Sequence, residues 1–208
     1  MMSDIRKIRL PLPPEEAREL KLGELVIADG EAIITAGLPT HERIVDYLDK
    51  GKPLPLALNG QAFFHMGICV EERGDRIQPL YLNPTTSTRF SAQMPSMIRR
   101  LGLTAVAGKG GLDRMAVHAL RETGGVYFSM VGGASSMLSA AVTDVVETAW
   151  PDLITQFRLT RIRFNGLGPL VVAIDAHGGS LYEQLADEAQ RKLPSIKANL
   201  STERSGSA

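Results

Sequence analysis

Three short segments of the sequence carry residues that suit the binding of a small anion and the movement of a proton. They are NPTTSTRF at residues 83–90, GKGG at 108–111 and VGGASS at 131–136. Arginine holds a carboxylate through two parallel hydrogen bonds, lysine adds a point charge, and glycine lets the backbone approach a ligand closely. The candidate site residues in these segments are Thr85, Thr86, Arg89, Lys109, Gly132 and Gly133.

The ligand that these groups favour is a small dicarboxylate or a phosphate. The phosphate interpretation is the weaker one, because a P-loop requires a hydroxyl residue directly after its lysine and Gly110 stands there instead. Each segment also has a structural interpretation. Thr86, Ser87 or Thr88 could cap a helix, Lys109 could be a solvated charge, and glycines before a helix could serve tight turns.

Each of the three segments follows a predicted strand and precedes a predicted helix. The strands are RIQPLYL, LTAVAG and VYFSM, and the helices cover 87–102, which Pro95 kinks or divides, 112–125 and 134–149. Alternation of strand and helix from 103 to 149 predicts parallel pairing with right-handed crossovers. Because ligands collect at the carboxyl ends of strands in α/β sheets, we expect the three segments to lie together at one edge.

The other predicted elements complete a single α/β domain over residues 1–194. They are a hairpin at Asp29-Gly30, a strand GQAFFHMGICV, a helix over 40–51 capped by Thr40, strands FRLTRIRF and PLVVAIDAHGG, and a helix over 181–193. The segment 195–208, rich in serine and short of apolar residues, is predicted to be a disordered tail.

Composition limits the classes of function. The chain has 208 residues, and its 23 basic residues balance 23 acidic ones, so no general attraction to nucleic acid or membrane follows. No apolar run approaches the roughly 20 residues that span a bilayer. The single cysteine, Cys69, excludes an internal disulfide and any cysteine-rich metal site made by this chain alone. The N-terminus lacks the apolar core of a secretory signal, so we expect a cytoplasmic protein.

The four histidines have no metal-ligand spacing between them. His65 and His118 are interpreted as structural, and turn chemistry explains His177. His41, near the start of a predicted helix, is a functional candidate. A serine nucleophile is not indicated, since the sequence has no Gly-x-Ser-x-Gly elbow.

The ordered motifs NGQAFFHMG, NPTTSTRF, GKGG, GGASSMLSAAV and GPLVVAIDAHG resemble one enzyme family. The chain is similar to the β subunit of iron–sulfur hydro-lyases of the class I fumarase and L(+)-tartrate dehydratase family, over roughly residues 8–185. FFHMG and GPLVVAIDAHGG look closer to the tartrate dehydratase branch. The resemblance implies a swivelling β/β/α fold with a mixed sheet and strand–helix crossovers.

The resemblance also implies a partner and a cofactor. In this family a separate α subunit holds a [4Fe–4S] cluster through three cysteines, and a small hydroxy-dicarboxylate lies between the two subunits. A chain with one cysteine fits the half that lacks the cluster. The resemblance therefore implies a hydro-lyase subunit that is inactive without its α subunit, with homodimerisation as a further option.

Matched residue by residue, the resemblance places the family's catalytic threonine at Thr85, whose hydroxyl would take part in proton transfer at the substrate carbon. Arg89 and Lys109 take the positions of the carboxylate-binding cations, and His41 matches a histidine of the family.

Two positions depart from the family pattern. Asn83 stands where glycine is usual, and Leu38 or Gly37 stands where an arginine is usual. Loss of a charge-assisted hydrogen bond costs about 1.5–3 kcal/mol, so the exact substrate stays open. The sequence supports two hypotheses: a hydro-lyase β subunit, or a catalytically degenerate carboxylate-binding or accessory subunit of the same fold.

Overall fold

The computed structural model of the chain describes residues 5–73 and 76–205. Its strands are β1 (Arg6–Leu10), β2 (Leu25–Thr35), β3 (Ala62–Arg73), β4 (Arg76–Pro84), β5 (Ala105–Gly108), β6 (Val126–Ser129), β7 (Val142–Ala149) and β8 (Leu159–Ile174). Its α-helices are α1 (Pro14–Glu19), α2 (Leu38–Asp49), α3 (Met94–Leu101), α4 (Arg114–Thr123), α5 (Ser135–Ala140) and α6 (Leu181–Ser205). Short 3₁₀ helices cover Ser87–Phe90 and Thr155–Phe157.

The strands form a mixed sheet that closes on itself. β1, β2, β3, β5 and β6 pair in parallel in that order, and β8 pairs antiparallel with β6. The long strand β8 also pairs with β2, so that β2, β3, β5, β6 and β8 form a ring. β4 pairs antiparallel with β3, and β7 pairs antiparallel with β8. The predicted mixed α/β sheet is confirmed, as is the parallel pairing of β5 and β6 across α4.

Alternation along the ring strands gives the protein two apolar layers. Phe64, Phe128 and Ile162 belong to the cluster inside the ring, to which all five ring strands contribute. Their neighbours Phe63 and Tyr127 point the other way and pack with residues of α2, α3 and α4. Because successive side chains of a strand face opposite sides, each ring strand supplies both layers. The helices therefore cover the outer face of the parallel strands.

The predicted hairpin at Asp29-Gly30 is wrong, because β2 is one strand of 11 residues. Gly30 lies in its middle with φ +114°, where the register against β8 shifts. A Cβ at this position would lie 2.2 Å from the carbonyl oxygen of Leu10 on β1. Glycine is needed here because the backbone forms a bulge and lies close to β1. The Asp-Gly pair, which is typical of a turn, therefore forms a bulge within a continuous strand.

The predicted helix over 134–149 is also wrong in its second half. α5 ends at Ala140, and Val142–Ala149 forms β7, so the expected second parallel crossover does not exist. Two register shifts along β7 leave Val142, Val145 and Thr148 partly buried and the residues between them exposed. The shifts change the burial period of the strand from two to three, which imitates the spacing of a helix face.

Two other boundaries differ from the sequence predictions, and the division of a third element agrees with one of the two outcomes predicted for Pro95. The two predicted strands near 157–164 and 169–179 are one strand, β8. The predicted helix over 87–102 is divided into the 3₁₀ helix and α3, with Pro95 in the first turn of α3. Residues 195–205 belong to α6 rather than to a disordered tail, and 206–208 lie outside the described residues. Within the described part of the chain, no helix is long and apolar enough to cross a membrane.

Candidate functional site

The hydroxyl-rich segment after β4 is inserted between the ends of β3 and β5. The Thr85 amide donates to the His65 carbonyl at 2.8 Å, and the Lys109 amide donates to the Thr85 carbonyl at 3.1 Å. The Ser87 amide then donates to the Lys109 carbonyl at 2.7 Å. Residues 85–87 thus act as a short additional strand, which explains why Thr85 and Lys109, far apart in sequence, lie side by side.

The third predicted segment joins the same edge through β6. The Met130 amide donates to the Gly108 carbonyl at 2.8 Å, which aligns the ends of β5 and β6. A Cβ at Gly132 would lie 3.6 Å from Lys109 Nζ, so the lysine side chain ends against this glycine. Gly133 follows with φ +85°. The structure therefore brings Thr85, Lys109 and the Gly132-Gly133 turn together, as the strand-end argument predicts.

The two cations of this cluster are available to a ligand. Arg89 lies on the 3₁₀ helix and is exposed, while Lys109 is half-buried. Within residues 5–73 and 76–205, neither the guanidinium nor the ammonium group has an ion pair or hydrogen bond. Thr85 and Thr86 are half-buried beside them. The edge thus combines two uncompensated positive charges with two hydroxyls.

The capping interpretation of the hydroxyl cluster is wrong. Thr86 is the residue before the 3₁₀ helix, and its side chain makes no capping hydrogen bond. Ser87 is fully buried, and its hydroxyl bonds to His65 Nδ1 and to the Tyr127 hydroxyl, each at 2.8 Å. Thr88 is exposed. The cluster therefore contains one buried, hydrogen-bonded hydroxyl at Ser87, whereas Thr85 and Thr86 are half-buried.

The sequence did not single out Tyr127, and it offered His65 only as a structural residue. Burial raises the pKa of the Tyr127 phenol and lowers the pKa of His65 well below its usual value, an effect to which the nearby His41 adds. Both side chains are therefore neutral near pH 7. Each lies within an apolar strand segment, and no local signal shows that Ser87 connects them.

His41 does not join the exposed cluster. Its ring is fully buried and stacks on Phe90 with a centroid distance of 3.9 Å. Nδ1 contacts the Gly37 carbonyl at 2.7 Å, and burial lowers its pKa to about 4, partly opposed by this hydrogen bond. Contact of His41 with a substrate stays a prediction. Thr40 does not cap α2 either, since its hydroxyl donates to the Phe157 carbonyl.

The two departures from the family pattern have defined surroundings. Leu38 opens α2 with a partly exposed side chain, and Arg43, a candidate replacement for the absent arginine, is directed elsewhere. Its guanidinium donates two hydrogen bonds to Asp152, at 3.0 and 2.7 Å. Asn83 Oδ1 accepts a hydrogen bond from the Ser135 hydroxyl at 3.0 Å. This bond links the end of β4 to the start of α5, next to the Gly132-Gly133 turn.

The geometry and motifs agree with a comparison against known families, in which residues 2–185 match the family described as the fumarase C-terminus. The chain belongs to this family. A candidate L(+)-tartrate dehydratase subunit beta from Methanocaldococcus jannaschii is 30% identical over 183 residues, which cover 88% of this chain and 93% of that protein. The L(+)-tartrate dehydratase subunit beta of Escherichia coli is 28% identical over 188 residues, covering 90% and 92%.

A fumarate hydratase relative has a different length. The candidate class I fumarate hydratase of Geobacillus stearothermophilus is 29% identical over 196 residues, which are 91% of this chain but only 36% of that protein. The fumarase C-terminal unit is therefore a separate chain in the tartrate dehydratase relatives. In the Geobacillus relative it makes up about a third of a longer protein.

Proposed function

We propose that this chain is the β subunit of a hydro-lyase that adds water to, or removes it from, a small hydroxy-dicarboxylate. The observation that carries the proposal is the backbone pairing of Thr85 with Lys109 at one sheet edge. The Lys109 ammonium and the Arg89 guanidinium, four residues after Thr85, have no ion pair or hydrogen bond among the described residues. The names of the tartrate dehydratase and fumarate hydratase relatives support the reaction class. Their small substrates carry two carboxylates, which two separate cations suit.

The cations would bind and orient the substrate. Arg89, with its planar fork, would hold one carboxylate through two hydrogen bonds, and Lys109 would hold an oxygen by charge and one hydrogen bond. Removal of a proton beside a carboxylate builds negative charge on that carboxylate. A fixed positive group at this position stabilises the transition state more than the ground state.

Thr85 would move the proton at the reacting carbon. A neutral threonine hydroxyl is a weak base, and the positive charge of Lys109 beside it favours its deprotonated form. The backbone of Thr85 is held on both sides, by His65 and by Lys109. These hydrogen bonds hold the Thr85 backbone in place next to Lys109.

The iron–sulfur cluster that the resemblance implies does not fit the residues of this chain. Such clusters are held by cysteine thiolates, and the chain contains only Cys69, in β3. Among the described residues, no three side chains of histidine, cysteine, aspartate or glutamate lie close enough to hold a metal ion. We propose that a partner α subunit holds the cluster.

Co-expression with the cognate α subunit tests the proposal. The purified complex should interconvert a hydroxy-dicarboxylate and its dehydrated product, with malate and the tartrate stereoisomers as the first substrates. Thr85→Ala should lower kcat by about a hundredfold or more, because proton transfer contributes 10²–10⁴. Thr88→Ala, an exposed hydroxyl on the same turn, is the matched control and should keep the wild-type rate. A complex in which Thr85→Ala turns over normally contradicts the role of Thr85.

A second candidate function is a carboxylate-binding subunit without catalysis. The engagement of Arg43 by Asp152 favours it, because Arg43 follows the position of the usual arginine and its guanidinium is already paired. This candidate predicts that the isolated chain binds malate or tartrate by calorimetry, that Lys109→Gln weakens this binding, and that the wild-type complex shows no turnover. Turnover that depends on Thr85 excludes it.

A further inference from the structure

A buried chain of side-chain hydrogen bonds lies directly beneath the contact between Thr85 and Lys109. The Ser87 hydroxyl is at its centre, 2.8 Å from His65 Nδ1 and 2.8 Å from the Tyr127 hydroxyl. All three side chains have an exposed fraction of 0%. These side-chain hydrogen bonds therefore connect β3, the hydroxyl segment and β6.

One set of hydrogen-bond directions satisfies every polar group of this network. His65 Nε2 lies 3.3 Å from Met94 Sδ, and a thioether can only accept. The proton of the neutral imidazole therefore sits on Nε2, which leaves Nδ1 as an acceptor. Ser87 then donates to Nδ1, and Tyr127 donates to Ser87. Every polar group between Tyr127 and Met94 has a partner, and reversing the direction would leave the Met94 contact without a proton.

We propose that Ser87 is a positioning residue for Thr85 and Lys109, fixed by its hydroxyl between Tyr127 and His65. The inference rests on the proposed function and adds the side chain that holds the site in place. The Ser87 amide donates to the Lys109 carbonyl at 2.7 Å, so a displaced Ser87 displaces the lysine backbone. A Cβ at Gly108 would lie 2.2 Å from Ser87 Oγ, so the hydroxyl fills the space beneath the end of β5.

Kinetics of the α–β complex test this role. Ser87→Ala should lower kcat about tenfold to a hundredfold, since a displacement of about 1 Å is enough for this loss, while KM changes less than about threefold. His65→Asn, whose Oδ1 can stand in for Nδ1 as acceptor, should retain most of kcat, whereas His65→Leu should resemble Ser87→Ala. Thr88→Ala is the control. A kcat for Ser87→Ala within twofold of wild type, or equal losses for both His65 variants, overturns the proposal.

A measurement on the full chain alone separates this proposal from the proposed function. Nitrogen NMR at pH 7 should show His65 as the neutral tautomer with its proton on Nε2. Amide exchange at Lys109 and Ser87 should be at least about tenfold faster in Ser87→Ala than in Thr88→Ala. If the complex shows no turnover, the proposed function is contradicted. The two measurements on the isolated chain then still test the positioning role of Ser87. A proton on Nδ1, or unchanged exchange, removes the positioning role.

Discussion

Acid should destabilise this protein through its buried histidines, and His41 gives the effect a magnitude. Its pKa is about 4 in the folded chain and 6.5 in an unfolded one. Between these values the unfolded state binds more protons, so stability falls as the pH falls. Linkage over these two pKa values gives a loss of about 2 kcal/mol between pH 8 and pH 5 from His41 alone. His65 acts in the same direction, since its pKa is also lowered.

The perturbation is His41→Gln, which removes the titrating ring and keeps a donor for the Gly37 carbonyl. Urea unfolding at pH 5, 6, 7 and 8 can be followed by the fluorescence of Trp150, the only tryptophan of the chain. Between pH 8 and pH 5, the unfolding free energy should fall by about 2 kcal/mol less in the variant than in the wild type. His65 keeps its own contribution, because burial rather than the charge of His41 is the main cause of its shift.

The control is Thr88→Ala, at an exposed side chain that does not titrate, which should keep the wild-type dependence of the unfolding free energy on pH. The comparison uses the change with pH within each variant, so a constant cost of the substitution cancels. Equal pH dependence in wild type and His41→Gln would refute the assignment of His41 as a buried neutral group.

Three further outcomes follow from the same structure. Gly108→Ala should destabilise the chain by about 1–3 kcal/mol, measured as a lower melting temperature, because the added methyl group overlaps Ser87 Oγ. The control Gly67→Ala should destabilise it less, because the nearest atom to its added methyl group would be 3.2 Å away. Thr40→Val should cost about 1 kcal/mol in urea unfolding, since the Phe157 carbonyl keeps its bond from Thr35 at 3.1 Å. Malate binding by the isolated chain, measured by calorimetry, should weaken with rising salt; a Lys109→Gln variant with the same salt dependence would contradict a charge contact.

The local sequence predicted the parts of the fold that depend on local patterns. The strands β3 to β6 and the helices α2 and α4 follow from apolar periodicity and from glycine and proline at their ends. Where a β-bulge changes the period, local patterns mislead. The pattern at Gly30 predicts a turn and that of β7 predicts a helix, and both predictions are wrong because a bulge forms only when the partner strand is present.

For the candidate site, the sequence by itself supplied the residue types and their order: hydroxyls and Arg89 after one strand, Lys109 after the next, and Gly132-Gly133 after the third. Only the tertiary structure decided which hydroxyl faces inward. Ser87 is buried because β3 and β6 present His65 and Tyr127 to it, and Arg43 is paired with Asp152. These contacts join residues 22, 40 and 109 positions apart. A local pattern determines what a segment can become, whereas the partner of a buried polar group is determined by how the sheet closes.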